Sequence, residues 1–135
     1  MSFTEYQINA MRTAKPGETM LFDLMHAAYG LTTETGEFVD SLKKNQVYNR
    51  PLDRQNLLEE LGDILWYVSL ACNALDAKLE DVAIANIGKL KKRYPEKYSD
   101  AHASKRLDKR TSNVTRRKAQ GSNRVSKAKK DIRSR

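Results

Sequence analysis

Two short acidic motifs carry the residue types that could do chemistry: Glu34-Thr35-Gly36-Glu37 and Glu60-Leu61-Gly62-Asp63. Each reads carboxylate, any residue, glycine, carboxylate, and the second follows the first by 26 positions. Residues three apart share one face of a helix, with Cβ atoms about 5–6 Å apart. Two such helices packed side by side would aim four carboxylates at one point. Four negative groups beside an apolar core repel one another and lose hydration unless a cation joins them. Ligands that are all oxygen favour a hard cation, Mg²⁺ or alternatively Mn²⁺. A lone acidic pair at this spacing is usually a solvated helix face. These two pairs differ because both flank an apolar stripe. Both also place glycine, at about 1 kcal/mol of helix stability, before the second carboxylate. The matched cost predicts close helix approach or a tight ligand shell at both glycines.

The elements that must hold these groups are helices. Thr4-Glu5-Tyr6-Gln7 opens a first helix, with Thr4 as cap, Gln7 reaching back and Phe3 as a staple. Pro16-Gly17 ends it. A second helix starts near Glu18 or Thr19, with Met20, Leu21, Leu24, Ala27, Ala28, Leu31, Phe38, Val39 and Leu42 on one stripe. Gly30-Leu31-Thr32-Thr33 is a weak stretch where it is expected to break or kink. Lys43-Lys44-Asn45 suits its C-terminus, leaving 46–52 as a loop. Asp53 caps a third helix reaching about Asp76, with Leu57, Leu58, Leu61, Ile64, Leu65, Val68, Cys72 and Leu75 as its core stripe. Asn56, Glu60, Asp63 and Tyr67 line one edge of that stripe. Trp66 and Leu70 form a second apolar patch, expected to meet another subunit. A fourth helix runs from Leu79 or Glu80 to Pro95, with Leu79, Ala83, Ile87, Leu90 and Tyr94 on its core side. No stretch alternates as a strand would. The predicted fold class is all-α, a four-helix, bundle-like domain over residues 1–98.

On the fourth helix Asn86, Lys89 and Arg93 share one edge. Lysine offers a compact charge and arginine a planar fork, both suited to phosphate oxygens. A metal cluster beside a cationic edge describes a polyphosphate site. Tyr67 follows Asp63 by four and is a candidate substrate contact. His26 lies about two turns from Glu34 and is not assigned a role. Cys72 is expected to fill core.

The net charge of +8 belongs to the end of the chain. Residues 1–100 carry 12 Lys/Arg and 15 Asp/Glu, whereas 101–135 carry 13 Lys/Arg against Asp108 and Asp131. From Ser99 the apolar content is too low to offset chain ordering, so residues 99–135 are expected to be a disordered or marginally helical basic tail. It lacks aromatic residues, so any nucleic-acid binding would act through phosphates and weaken steeply with salt. One cysteine and no signal-like or membrane-spanning segment lead to the expectation of a cytoplasmic protein.

In these features the chain resembles the MazG-like members of the all-α NTP pyrophosphohydrolase superfamily. The resemblance rests on Glu34–Glu37, on Glu59-Glu60-Leu61-Gly62-Asp63-Ile64-Leu65-Trp66-Tyr67 and on Asn86-Ile87-Gly88-Lys89-Leu90-Lys91-Lys92-Arg93-Tyr94-Pro95. It covers about residues 20–98, and the single-domain layout is similar to small phage or bacterial versions. It implies Mg²⁺-dependent hydrolysis of a nucleoside or deoxynucleoside triphosphate to monophosphate and pyrophosphate. It implies Glu34, Glu37, Glu60 and Asp63 as metal ligands; Glu37, Glu60 and Asp63 are the candidate catalytic residues, one of them taking the proton of a metal-bound water. It also implies Lys89, Arg93 and Asn86 as substrate contacts, and a homo-dimer or homo-tetramer. Asn56 departs from relatives with a basic residue there, and no phosphate contact is assigned to it. The alternatives are a (p)ppGpp hydrolase, or a nucleic-acid-binding accessory protein acting through residues 101–135.

Overall fold

The computed structural model describes residues 1–108, which are all-α with no strand among them. Five helices follow in order: α1 (Phe3–Met11), α2 (Met20–Tyr48), α3 (Arg54–Ala74), α4 (Leu79–Arg93) and α5 (Asp100–Lys105). The chain divides into two compact units, Met1–Gly88 and Lys89–Arg135, each taken by itself below. Most of the expected basic tail lies outside the described residues; its described start includes α5, capped by Ser99. No described helix is long and apolar enough to cross a membrane.

The first unit is built on an antiparallel pairing of α2 and α3, with α1 laid on α3. Thr19 caps α2 through the Phe22 N–H. The helix then runs unbroken through Gly30–Thr33, contrary to the expected break. Thr32 and Thr33 turn their hydroxyls onto the Ala28 and Gly30 carbonyls and stay within the helical pattern. Nor does α2 stop at Asn45. Nothing before Tyr48 breaks it, and Asn49, in the left-handed conformation (φ 52°), is the first residue that does. Asp53 caps α3 as expected. At its other end Asp76 (φ 51°) closes a Schellman turn, with the Ala77 N–H on the Cys72 carbonyl and the Asp76 N–H on Asn73.

The α1 cap differs from the expectation. Ser2 and Glu5 form the reciprocal capping box, two residues earlier than Thr4 and Gln7. Thr4 and Gln7 have long-range partners instead. Gln7 donates to the Ala77 carbonyl and accepts from the Leu79 N–H, bridging the α3–α4 turn, while Thr4 donates to Glu80.

The second apolar patch of α3 also needs correcting. Leu70 is 2% exposed, and the Trp66 indole N–H donates to the Ala10 carbonyl and the Thr13 hydroxyl. The chain's own first helix covers that side, so another subunit is not required there. The fully buried apolar set is small: Ala10, Ala27, Leu70, Cys72 and Leu79. Cys72 fills core, and burial pushes its thiol above the ordinary range. Expected core residues Met20, Leu21, Val39, Leu42, Leu58, Leu61, Leu75, Ile87 and Leu90 are instead exposed in the single chain. A two-helix pairing buries one stripe of each helix, and these side chains lie outside it.

Candidate functional site

The carboxylates of Glu34, Glu37 and Glu60 each offer an oxygen within 4.8 Å of the others. Two come from α2 and one from α3, whereas the motif spacing predicts two from each. Glu60 is 5% exposed and Glu37 is exposed, so the cluster runs from the helix interface to solvent. Asp63, one turn on from Glu60 and exposed, is not one of this trio. Its charge still reaches Glu34 and Tyr6.

Burial pushes the Glu34 carboxyl above its ordinary range. The Thr33 hydroxyl, 3.3 Å from a Glu34 oxygen, opposes the shift, and the charges of Glu37, Asp63 and Glu60 add to it. Among the described residues no lysine or arginine forms an ion pair with the cluster. The donor set is all oxygen and negatively charged, which suits a small hard cation.

Glu60 is held by Asn56, whose amide donates to one carboxylate oxygen at 2.6 Å. Asn56, which the sequence places on the same polar edge as Glu60, positions that carboxylate one turn ahead. A charge-assisted bond fixes that oxygen and leaves the other available. The sequence signal was the i, i+4 spacing itself.

The glycines behave differently from the expectation. A Cβ added at Gly36 or Gly62 would meet nothing within 4 Å, so in the single chain neither marks a close approach. At Gly30 it would lie 2.1 Å from Cε1 of the Tyr67 ring. Tyr67 thus lies directly on the α2 backbone, one turn before Glu34. Its ring meets Trp66 edge-on at 4.9 Å between centroids and His26 at 5.8 Å. His26, Gly30, Glu34 and Glu37 follow at helical spacing along one face of α2. Sequence reasoning left His26 out, although its i, i+4, i+8 relation to Gly30 and Glu34 was visible.

Of the other expected contacts, Asn86 is exposed on α4 in the first unit. Lys89 and Arg93 belong to the second unit, where Lys89 is exposed. Arg93 is committed there to Asp108 through two parallel N–H···O bonds from Nε and Nη2. That hydrogen bonding raises the guanidinium further and holds the Asp108 carboxyl below the usual carboxylate range.

The family model described as the MazG nucleotide pyrophosphohydrolase domain matches residues 23–98, the span that holds all of these candidates. The Gene 37 protein of Mycobacterium phage L5 is 36% identical over 97 residues, which is 65% of this chain and 84% of that protein. No solved structure matches the chain.

Proposed function

The chain belongs to the MazG nucleotide pyrophosphohydrolase domain family, and on that premise we propose that it hydrolyses nucleoside triphosphates to monophosphate and pyrophosphate. The observation that carries the reading is the convergence of Glu34, Glu37 and Glu60 from two helices. Such a cluster is costly to build unless a cation is part of it. Glu34, Glu37 and Glu60 would hold Mg²⁺ or Mn²⁺, with Asp63 contributing from one turn further along α3. Bound there, the ion would neutralise phosphate oxygens and acidify a water.

The residues divide the remaining work. Glu60, fixed by Asn56 and buried, orients the site. Glu37, the exposed member of the trio, is placed to accept the proton of the attacking water. Water adds across the anhydride between the α and β phosphates, that P–O bond breaks, and pyrophosphate leaves. Asn86 and Lys89 are proposed to bind the phosphates. Arg93 would do so only when a phosphate replaces Asp108 on its fork. Tyr67 is proposed to border the sugar. The exposed apolar residues of α2 and α3 support assembly as a homo-dimer or homo-tetramer.

A panel of ribo- and deoxynucleoside triphosphates with Mg²⁺, resolved by chromatography, tests the reaction. The expected products are monophosphate and pyrophosphate; orthophosphate release would overturn the proposal. Including ppGpp decides the alarmone alternative. Glu37→Gln is expected to reduce kcat by about 10²–10⁴-fold.

A second reading has one supporting observation, the concentration of positive charge in residues 101–135. That segment is proposed to bind nucleic acid through phosphates. Deleting it should abolish salt-sensitive DNA or RNA binding and leave hydrolysis of free nucleotides intact.

A further inference from the structure

We propose that the nucleobase of the substrate sits in the cavity lined by Lys15, Phe22, Met25, His26 and Tyr29, and that Lys15 makes this site favour bases with a carbonyl, not an amine, at purine C6 or pyrimidine C4: guanine, uracil and thymine. This deepens the pyrophosphohydrolase reading and rests on it. The cavity has a volume of about 310 Å³. Ligand pockets run from about 300 to 1,000 Å³, so this one is at the small end of that range and has room for a base.

Its position connects it to the carboxylates. His26 forms part of the wall and also packs edge-on against Trp66 and Tyr67, at 6.3 and 5.8 Å between centroids. Tyr67 lies on Gly30, and the next turn of α2 carries Glu34. A continuous aromatic strip therefore leads from the acidic cluster to the cavity. From Glu34 back to His26 is eight residues, a rise of about 12 Å. An extended nucleotide can span that distance, with phosphates at the carboxylates and its base against His26, Phe22 and Tyr29.

The lining chemistry suits a base. Phe22, Met25 and Tyr29 keep substantial exposed surface, as do other apolar residues of the helices, but here they share one cavity with an imidazole and a lysine. Aromatic faces accept any base by stacking. Selectivity must come from the polar members, and the cationic one is Lys15. An ammonium donates and cannot accept. Guanine offers O6 and N7, and thymine or uracil O4, whereas adenine and cytosine present an exocyclic amine at the corresponding position. The loop holding Lys15 is kept close by Gly17, where a Cβ would meet Asp23 Oδ1 at 2.0 Å and Phe22 Cδ1 at 2.6 Å. Lys15 thus enters the cavity wall from a backbone segment that packs on the start of α2.

The test is equilibrium binding of non-hydrolysable α,β-methylene triphosphates of guanosine, uridine, adenosine and cytidine to the full chain with Mg²⁺. Inorganic tripolyphosphate serves as a probe of the carboxylate end alone. Wild type should bind the guanine and uracil analogues more tightly than the adenine and cytosine ones. Tyr29→Ala, at an exposed position, should weaken all four by about 5- to 150-fold and leave tripolyphosphate unchanged. Lys15→Met should erase the preference between bases. The proposal is overturned if Tyr29→Ala leaves the analogues within twofold of wild type, or if adenine binds as well as guanine. It is also overturned if Lys15→Met weakens tripolyphosphate as much as the analogues. Binding with no turnover of the parent triphosphates would instead sink the hydrolase reading while leaving the base site standing. Binding of neither the analogues nor tripolyphosphate would sink both.

Discussion

The two halves of the α2–α3 contact are built by opposite rules. At the aromatic end each ring packs against another group of the chain. Tyr67 lies on Gly30, His26 meets both Trp66 and Tyr67, and the indole N–H bonds to α1. At the acidic end Glu34, Glu37 and Glu60 crowd together, and their main protein partners are Asn56 and Thr33. Folding completes the first half and leaves the second with uncompensated negative charge. Like charges held together in a folded chain cost stability, so they are tolerated where they serve a ligand. The aromatic end behaves as the clamp that fixes helix spacing, and the acidic end as the site that the clamp presents.

The largest effect should come from breaking the clamp. Gly30→Ala drives a methyl group into a Tyr67 ring that His26 and Trp66 hold in place. Overpacking of this kind costs about 1–3 kcal/mol. Chemical denaturation should show that loss, and Mn²⁺ titration should show weaker binding as Glu34 and Glu60 move apart. Adding Tyr67→Ala should recover part of the stability, because the two changes share one contact. Unchanged stability in Gly30→Ala would mean that the ring does not set the spacing.

Asn56→Ala acts on the acidic end alone. Residues that orient a metal ligand are worth about 10–100-fold in metal affinity. Calorimetry with Mn²⁺ should show a loss in that range with the helical content preserved. An unaltered affinity would mean that Glu60 needs no help from Asn56 to face the cluster.

A smaller effect is a dependence of stability on pH. Glu34 titrates above its ordinary range in the folded chain, chiefly through burial and then through the charges of Glu37, Asp63 and Glu60. The folded state then holds that proton more tightly than the unfolded state. Metal-free stability should therefore fall as pH rises through the window just above the ordinary glutamate range, and should be fully penalised beyond it. Saturating Mg²⁺ should abolish that fall. A metal-free profile that rises through the window would contradict the crowding at the acidic end.

Both halves were legible in the sequence to different depths. Apolar periodicity located the first four helices, and the matched spacing of Glu34, Glu37, Glu60 and Asp63 led to an expected four-carboxylate convergence, of which Glu34, Glu37 and Glu60 come together. What escaped depended on partners distant in sequence. Ser2/Glu5 and Thr4/Gln7 fit the capping pattern equally well, and the choice is made by Ala77, Leu79 and Glu80, which engage Thr4 and Gln7 from 70 to 76 positions away. Trp66 and Leu70 signalled a second buried side of α3 without saying that α1 would cover it.

The glycines give the finest test of the comparison. Helix propensity assigns Gly30, Gly36 and Gly62 the same cost of about 1 kcal/mol, and the sequence alone favoured the pair beside the carboxylates as contact points. Only Gly30 is one within the chain. With open space around Gly62, Gly62→Ala should raise stability by about 0.5–1 kcal/mol through better helix propensity, measured as a higher denaturation midpoint at unchanged slope. Gly36→Ala should do the same. Should either lose activity while gaining stability, the space beside it is needed by the bound nucleotide. Should either lose stability, and lose it more at high protein concentration, a second copy of the chain lies against that glycine. Gain at Gly62 and Gly36 with loss at Gly30 would separate the clamp from the site by one methyl group at each position.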